Sequence, residues 1–313
     1  MVNNFSSSLK IIRRESSLTA INLDILIALF PCAFWAVFLY GARALWMLLA
    51  SVAISVAADA LICAILKKDS VSFLDLSSAV SGAVIALLMP VSESCVTVSV
   101  LSLVSVVILR AVPFVKKLPI CPPACVLAVA TLFLKDELTS FPSPSVKGNA
   151  VFGNVYPITP LIAETTPDNQ WYELFFGSAC GPMGTVSVFL ILAGATYLFV
   201  RRIASLKTVA AFMAGVAVCA YFVTGSANPF EVVLYTCLTG QFLFGAVFCI
   251  SLPTWTVTDT RFNVIIPALG GAISVLTAFK FSLLAVPIAA LAVGALSCLT
   301  LLMKPSQPPF GGK

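Results

Sequence analysis

The chain has 313 residues, of which 60% are hydrophobic and only 10% charged, with a mean hydropathy of +1.05. Soluble domains carry about 25% charged residues, so most of this chain has no water to face, and a soluble globular fold is excluded. The net charge of +5 is too small to mark a nucleic-acid partner, and the absence of histidine excludes His-ligated haem and His-containing metal sites.

The first 20 residues are polar and basic (Lys10, Arg13, Arg14) and no small-residue cleavage site follows the first apolar run. That run reads as an uncleaved first membrane helix rather than a signal peptide. Apolar runs then occupy 21–40, 43–66, 77–90, 94–112 and 118–134. A helical crossing needs about 20 residues. The runs are continuously apolar instead of alternating, so they are helices and not barrel strands. The third is short and stops at Pro90, which leaves its crossing incomplete. A long loop at 135–184 carries Pro, Asn, Gly, Trp171 and most of the loop acids. Five more runs follow at 185–201, 205–224, 231–250, 262–279 and 282–303. The expected fold is an all-α polytopic membrane protein of about ten transmembrane helices. It divides into a tail and first five-helix half (1–134), an external loop (135–184), and a second five-helix half with its tail (185–313).

Lys and Arg concentrate on the cytoplasmic side of membrane proteins. With the N-terminus inside, the inner segments hold Lys10, Arg13, Arg14, Lys67, Lys68, Arg110, Lys116, Lys117, Arg201, Arg202, Lys207, Arg261, Lys304 and Lys313. The outer segments hold Arg43, Lys135, Lys147 and Lys280. The expected orientation therefore has both termini in the cytoplasm and the central loop outside.

An odd number of spans per half starts the second half from the opposite side, which is the arrangement of an inverted repeat. Ser78-Ala-Val-Ser81-Gly82, running on to Pro90, matches Thr236-Cys-Leu-Thr239-Gly240, running on to Pro253. Both lie in the third span of a half. Small residues are also common wherever membrane helices pack closely.

Asp59 lies inside the second span and Arg110 near the inner end of the fourth. A charge in the bilayer costs a few kcal/mol. For Asp59 two readings stand: an ion path or ligand contact, or solvation beside Lys67 and Lys68. Arg110 is expected to snorkel to the surface among Lys116 and Lys117. Asp24 and Glu231 read as boundary residues. The ten cysteines, including the Cys121/Cys125 pair, read as small packing hydrophobes. No Walker loop, dinucleotide fingerprint, paired-carboxylate site or His-activated nucleophile is present, so no catalytic residue is named. A channel, a transporter or a scaffold for a cofactor remains.

Four segments carry a family resemblance: Ser77 to Pro90; Arg110 to Ala124, ending Cys121-Pro-Pro-Ala; Leu174-Phe-Phe-Gly177 with Gly181-Pro-Met-Gly184, a helix and Arg201-Arg202-Ile-Ala-Ser; and Thr239-Gly240 with Gly245-Ala-Val-Phe248. With these, residues from about 12 to 303 resemble the NqrB/RnfD family. The likeness is to its RnfD members, from Rnf-type ion-translocating oxidoreductase complexes. It is more distant to the NqrB members, from the sodium-pumping NADH:quinone oxidoreductase. The resemblance implies a membrane component that couples flavin-mediated electron transfer to ion translocation, alongside other membrane and peripheral subunits in the lipid bilayer. It implies FMN esterified to a threonine of the outer loop, and a second, noncovalent flavin among the helices. The acceptor position falls on Thr159 in Gly153-Asn-Val-Tyr156-Pro-Ile-Thr159-Pro160-Leu161. The family's aspartate is here Gly153, and its Ser/Thr-Gly-Ala is Tyr156-Pro-Ile. Gly-Glu-Thr becomes Gly184-Thr185-Val186, and the Asp-Pro of another motif becomes Leu252-Pro253. These departures support an alternative: a cofactor-free transporter-like or structural subunit on the same fold.

Overall fold

In a computed structural model of the chain, the described residues are 2–65, 76–111, 121–133, 171–177, 180–223, 229–252, 264–281 and 285–302. Every regular element among them is helical. In chain order these are α1 (Val2–Tyr40), α2 (Ala42–Ile65), α3 (Ser77–Leu88), α4 (Cys95–Ala111) and α5 (Pro122–Phe133). After them come α6 (Trp171–Phe176), α7 (Val188–Val200), α8 (Leu206–Val223), α9 (Pro229–Leu238) and α10 (Gly240–Phe244), which continues as a π-helical turn over Gly245–Ile250. The last are α11 (Ile265–Phe281) and α12 (Ala285–Leu302).

The distribution of side chains is that of a membrane protein. Phe30, Phe34 and Phe38 follow one another at four-residue intervals on α1 and are 67%, 61% and 60% exposed. Meanwhile Asp59 and Arg110 are buried at 1% and 4%. Water would reverse that preference; a hydrocarbon surround imposes it. Three helices are long and apolar enough to cross on their own: Leu18–Tyr40, Ala42–Ile65 and Leu206–Val223. A fourth crossing forms if α9 and the α10 segment, bent by 53° at their junction, count as one. Each remaining expected run coincides with a shorter apolar helix.

Helix α3 is one of the short ones. Its 12 residues give about 18 Å of helix, well under the roughly 30 Å of a hydrocarbon core. All but Ser77 are buried, so its broken end lies within protein, where irregular backbone is tolerated at membrane depth. The third expected span is thus a half-helix, as its proline-terminated length implied.

Within the first half α2 packs on α3 and α4, and α4 on α5. Within the second, α8 packs on α9 and α11, and α11 on α12. Between halves, α1 packs on α7 and α5 on α12. The α8–α11 contact is close because glycines line it. A side chain at Gly215 would strike the Ala268 carbonyl, and one at Gly271 would strike the Phe212 carbonyl.

Candidate functional site

Parts of all four motif segments meet in the core. The C-terminal carbonyls of α3 lack helical partners. The inserted segment 180–187 supplies them: the Gly184 amide donates to Leu87 O at 2.7 Å and the Met183 amide to Met89 O at 3.2 Å. Gly184 is required at this contact, because a Cβ there would overlap the Leu87 side chain. On its other side the segment meets the second broken helix, since a Cβ on Gly240 would overlap the Thr185 carbonyl. The Cys121 thiol, at the start of α5, hydrogen-bonds to Cys249 in the π-helical turn. One end of α3, the Gly181–Gly184 turn, the α9/α10 break and the head of α5 therefore form one junction.

That junction is closed. Met89, Phe242, Phe244 and Phe248 are fully buried and Met183 is 1% exposed. Ser81 and Gly82, which match Thr239 and Gly240 in sequence, have other neighbours. Ser81 Oγ lies 2.7 Å from Ser105 Oγ, and Gly82 packs against Ser51 and Ser55 of α2. Ser81-Gly82 falls inside α3, whereas Thr239 lies at a break, where its amide and hydroxyl both donate to Tyr235 O at 2.9 Å.

The second polar feature lies between α2, α3 and α4. Arg110 Nη2 donates to Asp59 Oδ2 at 2.8 Å, and Nε is 2.6 Å from Oδ1. Arg110 also donates to Ser77 Oγ at 3.3 Å, at the first residue of α3. The Cys63 thiol completes the surround, 3.7 Å from Asp59 Oδ1. This corrects the snorkelling reading of Arg110: its side chain is only 5% exposed, because a buried carboxylate lies within reach and pairing with it outweighs hydration at the surface. Asp59, 1% exposed and paired with Arg110, is not solvated as the second of its two readings had it. Asp24 is likewise more than a boundary residue. It is 5% exposed and accepts from Tyr197 and Arg201 of α7 and its C-cap.

Sequence reading missed the hydroxyls around Asp59. Ser51, Ser55, Asp59 and Cys63 recur every four residues on α2, and all are buried. That spacing was the available signal. Among the described residues no group of three or more His, Cys, Asp or Glu side chains could hold a metal. Thr159 lies outside the described residues, as do Lys67, Lys68, Lys116 and Lys117.

The family model described as NQR2, RnfD, RnfE matches residues 6–296, through both halves and all four motif segments. The chain belongs to this family. No curated protein matches it. The family is associated with membrane subunits of Rnf and Nqr complexes. The contacts of Gly184 and Gly240 at the junction are steric.

Proposed function

We propose that this chain is an integral membrane subunit of an Rnf-like electron transport complex, in which flavin-mediated electron transfer drives ion translocation across the cell membrane. The observation that carries the reading is the junction itself. Two interrupted helices, α3 and α9/α10, meet the inserted 180–187 segment inside the protein. Interrupted membrane helices at corresponding places in two halves mark transport sites.

The packing supports the ten-span, inverted-repeat arrangement. The α2–α4 contact has its counterpart in α8–α11, and α4–α5 in α11–α12. The contacts between halves, α1 with α7 and α5 with α12, join elements that occupy the same place in each half. A twofold relation produces that pairing. Asp59 is the proposed ion-path residue, and other membrane and peripheral subunits are the proposed partners.

Thr159 is the proposed point of attachment for FMN, which would supply one-electron chemistry to the complex. Pro160 disfavours helix at Thr159, leaving an extended hydroxyl for a transferase to reach. The residue changes at Gly153 and Tyr156-Pro-Ile favour the second reading, a cofactor-free subunit on the same fold. A flavin absorbance spectrum of the protein, expressed with its own flavin transferase, separates the two. Fluorescence of the denatured band is expected in wild type and lost in Thr159→Ala with the helices intact. A wild-type band without flavin hands the case to the cofactor-free reading, and flavin on Thr165 or Thr166 refutes the assignment to Thr159.

A further inference from the structure

We propose that the seam between α2, α3 and α4 is a proton-exchange site, in which Asp59 carries the proton and Arg110 is its movable counter-charge. The inference rests on the reading of the chain as an ion-translocating subunit and names the ion as a proton.

An apolar membrane helix gains nothing from a line of polar side chains unless partners or a ligand meet them. On α2 partners meet three of the four. Ser51 Oγ donates to Gly82 O at 2.8 Å, Asp59 pairs with Arg110, and Cys63 contacts Asp59. Ser55 Oγ has no hydrogen-bond partner, although Ser55 is fully buried. It lies one helical turn, about 5 Å, from Asp59 on the same face, where a relay to or from the carboxylate needs a hydroxyl. Across the seam, on α3 and α4, the Ser81 and Ser105 hydroxyls are 2.7 Å apart and either can donate. A hydroxyl pair whose polarity can reverse is what proton relay requires.

The line is polar toward Asp59 only. Beyond Ser51 the same face of α2 presents Met47 and Ala44, both fully buried. Past them Arg43 holds the carbonyls of Ser92 and Glu93 at 2.7 and 3.2 Å. Two apolar turns without a hydroxyl on α2 are a barrier against leak. The corresponding seam of the second half contains Thr208 and Ser274 with Phe212 and Val216, and no buried acid or base among the described residues.

The guanidinium within 2.8 Å of the carboxylate repels a metal cation arriving as an ion. A proton instead bonds to the carboxylate oxygen. One O–H bond breaks on the donor, one forms on Asp59, and no electron moves. The carboxyl is then neutral and Arg110 loses its attraction. Arg110 stands in the last turn of α4, so its long side chain can turn outward to water and return when the proton leaves. Among the described residues, Arg110 from α4, Cys63 on its own helix and the Ser77 hydroxyl from α3 surround the Asp59–Arg110 pair.

The test has two arms. In the first, the purified chain in lipid nanodiscs is treated with dicyclohexylcarbodiimide, which reacts with protonated carboxyls in apolar surroundings, and Asp59 modification is read by peptide mass. Wild type is expected to label faster in mildly acidic than in alkaline buffer. Arg110→Gln is expected to label roughly tenfold faster, because a carboxylate without its counter-charge takes a proton more readily. Asp59 unlabelled in both proteins at every pH overturns the proposal. In the second arm the whole complex, in liposomes with an internal pH dye, is driven by its electron donor. Asp59→Asn alone strands a buried arginine, so it is combined with Arg110→Gln, which removes both charges. The pair is expected to keep its gel-filtration profile and lose proton movement roughly tenfold or more, as is Ser55→Ala. Wild-type proton movement in the double variant, or movement of sodium alone in wild type, overturns the proposal. A wild-type complex that passes electrons and moves no ion refutes the proposed function instead, and the labelling arm still decides whether Asp59 exchanges protons.

Discussion

Arg201, at the end of α7, reaches Asp24 on α1 through two hydrogen bonds, Nε to Oδ2 at 3.1 Å and Nη2 to Oδ2 at 2.8 Å. The Tyr197 hydroxyl donates to the other carboxylate oxygen at 2.8 Å. One carboxylate thus ties the first helix of the chain to the first helix of the second half.

The two sides of this tie are unequal. Asp24's side chain is 8% exposed and Arg201's 53%. Removing Asp24 orphans a phenol and an arginine together, so Asp24→Ala is expected to cost about 1–3 kcal/mol. Arg201→Ala removes a solvent-screened partner and is expected to cost less than Asp24→Ala. Thermal unfolding in detergent checks the ranking, and a larger loss in Arg201→Ala would contradict it.

For Asp59 and Arg110 the expected signature is non-additivity. Either single neutralisation leaves an uncompensated buried charge and costs about 3–5 kcal/mol, whereas removing both together is far cheaper. A double-mutant cycle of Asp59→Asn and Arg110→Gln, read by thermal unfolding, is expected to give a double variant more stable than either single one. Additive losses would mean that the two side chains are solvated separately.

These two pairs mark where sequence reading ends. Helix positions were legible because hydropathy is local, and the half-helix at α3 followed from Pro90. Arg110 was misread because Lys116 and Lys117 stand near it in sequence, while its partner is 51 residues away. The partners of Asp24 are more distant still, 173 and 177 residues along the chain. No periodicity reports such pairings. The serine line on α2 was legible in principle, since a four-residue spacing puts side chains on one face. The π-helical turn at Gly245–Ile250 was not, because its sequence is as apolar as the α-helices around it.

Gly240 and Gly41 offer a controlled comparison. Both are glycines at helix junctions, yet Gly41 has φ +70° with open space around it, and Gly240 faces the Thr185 carbonyl. Gly41→Ala is expected to cost about 1 kcal/mol, the backbone term alone. Gly240→Ala must move the 185 backbone away from the helix break, an overpacking cost of about 1–3 kcal/mol. It is also expected to impair the assembled complex, because the displaced segment is bonded to the end of α3. Equal stability and activity for the two variants would remove the junction's claim to importance.

The orientation prediction rests on charge and is checked by labelling. Fourteen of the 18 Lys and Arg residues fall on the side assigned to the cytoplasm, and the Lys/Arg excess sets orientation in membrane insertion. The packing agrees with one internal consequence: Asp24 lies early in the rising α1 and Arg201 just after the descending α7, so their bond requires these two ends on the same side. A single cysteine at Asn149 is expected to react with an impermeant maleimide applied to intact cells, and one at Ser8 only after permeabilisation. The native cysteines are buried or half-buried among the described helices, so their background is low and can be subtracted from the unsubstituted protein. Labelling of Ser8 and not Asn149 in intact cells would invert the molecule and place Asp59 and Arg110 toward the outer face, overturning the orientation read from charge.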